Sequence, residues 1–226
     1  MMSQRQIGLI FHGIGTPARR MEAGEAPYWV SVAQFETVLD LIARQPLPER
    51  FRISFDDGNI SDHDIALPRL TAHRLRADFF VLSGRIGQPG SLDRDHVRAL
   101  QRAGMTIGSH GVAHRDWRRL DDAGLAEELR ASRICLEAII GVPVTTAGIP
   151  FGSYDRRVLQ ALRGAGYQAA YSSDRGEMDP TAFLRPRTSI TAAMGPGEIA
   201  AILAGQMSPI ARLRRVIGMA RKRVGV

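Results

Sequence analysis

Two adjacent carboxylates and one pair of histidines have the residue types and the spacing that chemistry needs. Asp56 and Asp57 follow one short apolar run, and His110 and His114 follow another. Histidines four residues apart lie one helical turn apart on the same face, so both rings can reach one cation. Each pair also has a purely structural interpretation, because aspartates often cap solvated turns and histidines occur in turns without a ligand. Alone, the pairs leave the function open.

A third segment, Gly148-Ile149-Pro150-Phe151-Gly152, follows a further apolar run. By itself it is typical of an ordinary Pro/Gly turn. In parallel α/β folds, however, active sites collect where strands end at their C-terminal edge. Three unusual strand ends in one chain are therefore more informative than any one of them.

The elements that must position these residues follow from the alternation of short apolar runs with amphipathic stretches. The candidate strands lie at 7–11, 51–55, 78–82, 105–108, 145–149, 169–172 and about 183–190. Apolar residues at helical spacing predict helices between them, the first beginning at Ser31 with Gln34 three residues on, as in a capping box. This alternation predicts an α/β fold with a parallel sheet covered by helices, and both a closed barrel and an open sheet fit it.

Together, the three segments resemble the motifs of the polysaccharide deacetylase family, also described as the NodB homology domain and carbohydrate esterase family 4. The family motif T-F-D-D-G is similar to Ser54–Gly58, H-[ST]-x-x-H to His110–His114, and R-x-P-[YF]-G to Gly148–Gly152. The resemblance extends over about residues 7–190. It implies a distorted (β/α) barrel, usually with seven parallel strands.

By position, the resemblance implies that Asp57, His110 and His114 bind a divalent metal, most commonly zinc. Two histidines and one carboxylate leave coordination positions open, as a catalytic zinc site requires. Asp56 is then implied as the general base, which needs the metal to lower the pKa of water from about 15.7 towards roughly 7.

The resemblance also implies roles around the third motif. The backbone N–H of Phe151 would stabilise the oxyanion that forms when an amide carbonyl is attacked. Pro150 and Gly152, from the same motif, and Asp174, in a fourth motif that lacks its usual tryptophan, are the implied substrate-binding residues.

Several positions depart from the family pattern. The arginine that normally orients the base is replaced by Gly148, with Arg156 and Arg157 nearby in sequence. The Ser or Thr of the second motif is Gly111, and Ser109 is its candidate substitute. The missing arginine, together with the missing late histidine described next, leaves open a second class of function, a catalytically degraded protein that binds glycan or supports an exopolysaccharide assembly complex.

The general acid is the most serious departure, because the family's Leu-x-His motif is absent and no histidine follows His114. His12 ends the first candidate strand and is the remaining candidate, since a histidine with a pKa near 6.5 can protonate a departing amine. The alternative is a structural histidine bonded to a backbone carbonyl.

Composition bounds the classes of protein that are possible. The 226 residues carry a formal charge of +7, but 210–226 hold six basic residues and no acid, so the remainder is nearly neutral. The body is therefore not predicted to bind nucleic acid. The single cysteine, Cys135, excludes internal disulfides and cysteine-based zinc or iron–sulfur sites.

The ends of the chain yield two expectations. The apolar run at 7–11 is too short for a signal peptide, which predicts a cytoplasmic start. The sequence divides into a barrel at 1–207 and a basic amphipathic helix at 208–226. The residues predicted to share the apolar face of this helix are Ile210, Leu213, Val216, Ile217, Ala220 and Val224. This face either lies on an anionic membrane at its inner side, contacts a biosynthetic complex, or packs on the barrel.

The function that the resemblance implies is metal-dependent removal of N-acetyl groups from an N-acetylated sugar or polysaccharide. The alternatives are hydrolysis of another small linear or cyclic amide, and the non-catalytic glycan-binding protein described above.

Overall fold

The computed structural model describes residues 5–224. Its strands are β1 (Gln6–Phe11), β2 (Gly13–Ile14), β3 (Trp29–Val30), β4 (Phe51–Asp57), β5 (Ala77–Val81), β6 (Thr106–Ser109), β7 (Thr146–Gly148), β8 (Ala169–Ser172), β9 (Glu177–Met178), β10 (Leu184–Pro186) and β11 (Thr188–Ser189). Its α-helices are α1 (Val32–Ala43), α2 (Leu67–Ala72), α3 (Arg94–Arg102), α4 (Asp122–Ile140), α5 (Arg156–Gly164), α6 (Pro196–Leu203) and α7 (Pro209–Val224).

Local signals in the sequence set the boundaries of the helices. Ser31 caps α1, its side chain accepting a hydrogen bond of 3.0 Å from the backbone N–H of Gln34. Asp93 forms a capping box at the start of α3. The longest helix, α4, is capped by Asp121 and ends at Gly141, which has the left-handed φ of 73° that glycine tolerates best.

Eight parallel strands form the main sheet in the order β10-β8-β7-β6-β5-β4-β1-β11, and β9 adds an antiparallel pair to β1. The two terminal strands belong to one extended segment, Leu184–Ser189. Its first half pairs with β8 and its second half with β1, with Arg187 between them. The sheet therefore closes on itself through this segment. Counted as one, the segment is the seventh strand, which confirms the predicted (β/α) barrel.

Strand alternation separates an outer core from the barrel interior, because successive side chains point to opposite faces. Three phenylalanine rings stack outside the sheet. The ring centroid of Phe55 lies 5.6 Å from that of Phe11 and 4.7 Å from that of Phe79. A separate buried cluster, which includes Phe80 and Tyr171, fills the inside. Residues flanking Phe55 in β4 therefore face the interior.

The helix predicted after Ser208 is present as α7. Of the residues predicted on its apolar face, the side chain of Val224 lies outside the described part of the structure. No helix among the described residues is long and apolar enough to span a bilayer.

Candidate active site

Asp57, His110 and His114 lie together at the C-terminal edge of the barrel. The Asp57 Oδ1 atom is 3.5 Å from Nε2 of His110 and 3.6 Å from Nε2 of His114. Asp57 and His110 are buried, and one potential ligand atom from each of the three residues lies within 4.8 Å of the others. The strand ends of β4 and β6 thus bring the predicted ligands together.

Both imidazoles are oriented by an acceptor at Nδ1. His110 donates from Nδ1 to the carbonyl of Gly148 at 2.9 Å, and His114 donates from Nδ1 to Oε2 of Glu22 at 2.9 Å. Because these acceptors fix the proton on Nδ1, the Nε2 lone pairs point towards Asp57. Burial lowers the pKa of His110 to about 4, against the opposing effect of Asp56 and Asp57, so this ring is neutral near pH 7.

These residues fit a divalent cation. The Asp57 Oδ1 atom is buried and has no hydrogen-bond partner among the described residues, although it faces two Nε2 atoms. Buried polar atoms are rarely left unpaired, and a cation between the three groups would satisfy this oxygen. Nitrogen and carboxylate donors at an open three-ligand site are the set that catalytic zinc uses.

The backbone at the site adopts conformations that few side chains tolerate. Asp57, His114 and Phe151 have φ values of 80°, 52° and 57°. Positive φ at a residue other than glycine costs about 1–3 kcal/mol and is concentrated at functional sites. At Asp57 this conformation ends the regular alternation of β4, so that adjacent carboxylates both border one cavity.

Asp56 forms a buried ion pair with Arg187. Two parallel hydrogen bonds join them, Nη1 to Oδ1 at 2.7 Å and Nη2 to Oδ2 at 2.9 Å. Nη1 also donates to Oγ of Ser54 at 2.8 Å. Burial alone would raise the pKa of Asp56, but Arg187 and then His110 hold that pKa below its ordinary value. The carboxylate is therefore ionised, as a general base must be.

Arg187 occupies the place beside the base that the third-motif arginine was expected to fill. Its guanidinium lies 4.8 Å from the ring centroid of Phe80. Gly148 has no room for a side chain, because a Cβ there would lie 2.9 Å from Cγ of Phe80 and 3.1 Å from Nδ1 of His110. Arg157, near in sequence, instead donates to the carboxylate of Asp122 and to the backbone carbonyl of Leu120, just before α4.

His12 lines the same cavity as the carboxylates and the histidine pair. Its ring centroid is 4.8 Å from that of Tyr28, and its Nδ1 atom is buried with no hydrogen-bond partner in the part of the chain described. Its backbone carbonyl, by contrast, accepts from Nδ2 of Asn59 at 3.1 Å. The ring therefore lines the cavity with one nitrogen atom unsatisfied, and its role as the acid stays a prediction.

The loop between the histidines is braced without the usual Ser or Thr. Ser109 Oγ accepts from the backbone N–H of Gly111 at 3.1 Å, as its position suggested. Glu128 of α4 accepts from the backbone N–H of Val112 at 2.7 Å. A Cβ at Gly111 would lie 2.6 Å from the Glu128 carboxylate, so a larger residue at position 111 would displace Glu128.

The third segment is a short 3-10 turn at Pro150–Gly152. Phe151 is 62% exposed, and its ring stacks on His114 with centroids 4.4 Å apart. Phe151 and Gly152 line the cavity, whereas Pro150 is buried within the turn. The oxyanion and substrate-binding roles of this turn remain predictions.

Asp174 lies outside this cavity, although the neighbouring Ser173 lines it. Its Oδ2 accepts from the hydroxyls of Tyr154 and Ser172 at 2.8 and 2.7 Å. Its Oδ1 accepts from Nζ of Lys222 in α7 at 2.6 Å. These contacts tie Asp174 to its neighbours and to α7, and direct substrate binding by Asp174 stays a prediction.

The cavity has a volume of about 330 Å³ and is lined by the three candidate cation ligands, by the ionised carboxylate of Asp56 and by the ring of His12. Such a set can hold a cation, accept a proton from water and donate one to a leaving group. Sequence reasoning missed two of its residues, Arg187 and Glu22. Arg187 had one signal, its place in the last candidate strand, whereas Glu22 lies in a loop with no recognisable motif.

The comparisons with known proteins agree with this geometry. The family profile described as Polysaccharide deacetylase matches residues 44–170, more than half of the chain. A chitin deacetylase from Pestalotiopsis sp is 29% identical over 130 residues, which are 56% of this chain and 42% of that protein. The chain spans about half the length or less of the curated relatives it matches.

Solved structures share the fold. The Streptococcus pyogenes deacetylase PplD, solved in complex with acetate, superposes with a TM-score of 0.75 at 18% identity, covering 89% of this chain and 99% of that one. A polysaccharide deacetylase from Bacillus cereus gives a TM-score of 0.76 at 21% identity, covering 89% of this chain and 69% of that one.

Proposed function

Because the chain belongs to the polysaccharide deacetylase family, we propose that it hydrolyses the amide bond of an N-acetylated sugar, releasing acetate and leaving a free amine. The observation that carries this proposal is that two groups of residues line the same cavity. One is the group Asp57, His110 and His114, whose ligand atoms converge. The other is Asp56, ionised beside Arg187.

In this proposal Asp57, His110 and His114 hold a divalent cation, and their nitrogen and carboxylate donors match zinc. When bound, the cation would lower the pKa of nearby water and polarise the amide carbonyl. The Nδ1 contacts to Gly148 and Glu22 keep both rings oriented before any ligand arrives.

Asp56 is proposed to accept a proton from the attacking water at a carboxylate oxygen. Arg187 keeps this carboxylate ionised and fixes its plane through two hydrogen bonds. A base that is already ionised and oriented needs no rearrangement to accept the proton. General acid–base groups positioned in this way typically raise the reaction rate by about 10²–10⁴-fold.

His12 is proposed to protonate the departing nitrogen, since an amine anion is too poor a leaving group near neutral pH. The support is its position on the cavity and its unpartnered Nδ1 atom. The backbone N–H of Phe151 is proposed to stabilise the oxyanion, and the exposed ring of Phe151 offers an apolar face to a sugar.

The test measures acetate release from N-acetylated oligosaccharides by the zinc-reconstituted protein. Asp56→Asn should retain zinc and lose about 10²–10⁴-fold in turnover, because it removes the base and leaves the ligands. Asp95→Asn is the matched control, an exposed aspartate outside the site. Zinc-loaded protein that released acetate from none of the sugars would contradict deacetylation, and an unimpaired Asp56→Asn would contradict the role of the base.

A further inference from the structure

The last helix, α7, packs on the barrel through its polar side chains. Arg215 donates to the backbone carbonyl of Asp174 at 3.1 Å. Lys222 donates to the Asp174 carboxylate at 2.6 Å and to the carbonyl of Gly152 at 2.8 Å, and it lies 5.0 Å from the ring centroid of Tyr154. The side of α7 that faces the barrel is therefore cationic.

The opposite side of α7 exposes large apolar residues, which is the reverse of an ordinary surface helix. Four of them form an apolar stripe with exposed fractions of 43–66%, namely Ile210, Leu213, Val216 and Ile217. Their spacing of three and four residues places them on one face. A contiguous exposed apolar face of this kind marks a binding surface.

We propose that the apolar stripe docks on an anionic lipid bilayer. Helix α7 contains six basic residues and no acid, and Arg212 and Arg221 are exposed on it alongside the stripe. Apolar side chains with cations beside them on the same helix match an interface of acyl chains below anionic headgroups. A second copy of this chain is a poorer partner, because pairing two such helices would bring like charges together.

Docking would hold the barrel's cavity close to the membrane. Lys222 binds the carbonyl of Gly152, a residue that lines the cavity, and a helix with its side chains is only about 10–12 Å across. The proposal concerns a surface and does not depend on which bond the cavity hydrolyses.

Co-sedimentation with lipid vesicles tests the proposal on the full chain. Vesicles of phosphatidylglycerol and phosphatidylcholine should bind the protein, and 0.5 M NaCl should weaken binding severalfold because salt screens exposed charges. Leu213→Glu should weaken binding by at least about tenfold, since it places an acid in the stripe. Ile134→Glu in α4 is the matched control, an equally exposed apolar residue elsewhere, and should bind as the unmodified chain does.

Three results would overturn the proposal. The first is no binding to the anionic vesicles at low salt, and the second is equal binding to vesicles of phosphatidylcholine alone. The third is a dimer, detected by light scattering, that Leu213→Glu dissociates, together with no binding to vesicles. That result would show that the apolar stripe binds a second copy of the chain. Circular dichroism of both variants confirms that they fold.

Discussion

Replacing Arg187 with methionine removes the partner of the buried carboxylate Asp56 while keeping a side chain of similar length. Both residues are almost fully buried, and their two hydrogen bonds are 2.7 and 2.9 Å long. Removing one partner of such a pair leaves the other charge without compensation, which typically costs about 3–5 kcal/mol. We therefore expect Arg187→Met to lower the free energy of unfolding by about this amount at pH 7.

The loss should depend on pH. In the unmodified chain, the pKa of Asp56 in the folded state is below its unfolded value, so the stabilisation is present above that unfolded value and is lost as the pH falls through the folded one. In Arg187→Met, burial raises the folded pKa above the unfolded value. The variant's penalty is then largest near neutrality, and the gap in stability between the two proteins should shrink from pH 7 to pH 5.

Chemical denaturation of metal-free protein measures this gap. Arg185→Met is the matched control, because Arg185 lies in the same segment but donates to the hydroxyl of Tyr171 and the carbonyl of Ala182, with no carboxylate among these partners. It should cost about 1 kcal/mol, the net contribution of ordinary hydrogen bonds.

A double-mutant cycle decides whether the pair acts directly. Arg187→Met with Asp56→Asn should cost well under the sum of the two single changes, because neither charge remains buried alone. Additive losses, or a gap that did not change with pH, would refute the reasoning. Arg187→Lys keeps the positive charge but cannot form the bidentate pair of hydrogen bonds. It should therefore be more stable than Arg187→Met and less stable than the unmodified chain.

Further predictions concern the histidines. Glu22→Gln should weaken zinc binding by about 10–100-fold in competition with a chelating dye, because the Nδ1 acceptor of His114 loses its charge. Unchanged affinity would contradict this. His12→Ala should lower turnover by about 10²–10⁴-fold with zinc retained, and should change the two limbs of the pH–rate profile unequally. A uniform loss at every pH would exclude its role as the acid. In metal-free protein, the free energy of unfolding should fall as the pH drops from 6.5 to about 4. In this range His110 is protonated in the unfolded chain but stays neutral in the folded one. His110→Gln should therefore reduce the dependence of stability on pH.

The strands could be predicted because apolar runs repeat a local pattern. The first candidate strand, at 7–11, corresponds to Gln6–Phe11, and the run at 169–172 has the predicted bounds. The run near 183–190 contains two strands instead of one, since the segment changes partners at Arg187. That change depends on barrel closure, a property of the whole sheet that no local window of sequence contains.

The same limitation explains which site residues were found. Asp57, His110 and His114 belong to compact motifs, and the strand ends that carry them meet at one edge. Arg187 is 131 residues from Asp56, and Glu22 is 92 residues from His114. An ion pair between residues so far apart leaves no periodicity in the sequence, so only the fold reveals it.

The glycine at position 148 is one of the departures that left a degraded site open, and the structure gives it another explanation. Phe80 fills the barrel interior where a side chain at 148 would begin, and the carbonyl of Gly148 comes close enough to accept from His110. The guanidinium that pairs with Asp56 enters instead from the closing segment of the barrel, and it lies over the ring of the same Phe80. Position 148 therefore supplies an acceptor for a metal-ligand candidate, while Arg187 supplies the positive charge. Loss of the motif arginine is compensated in this chain, and so it does not by itself argue against catalysis.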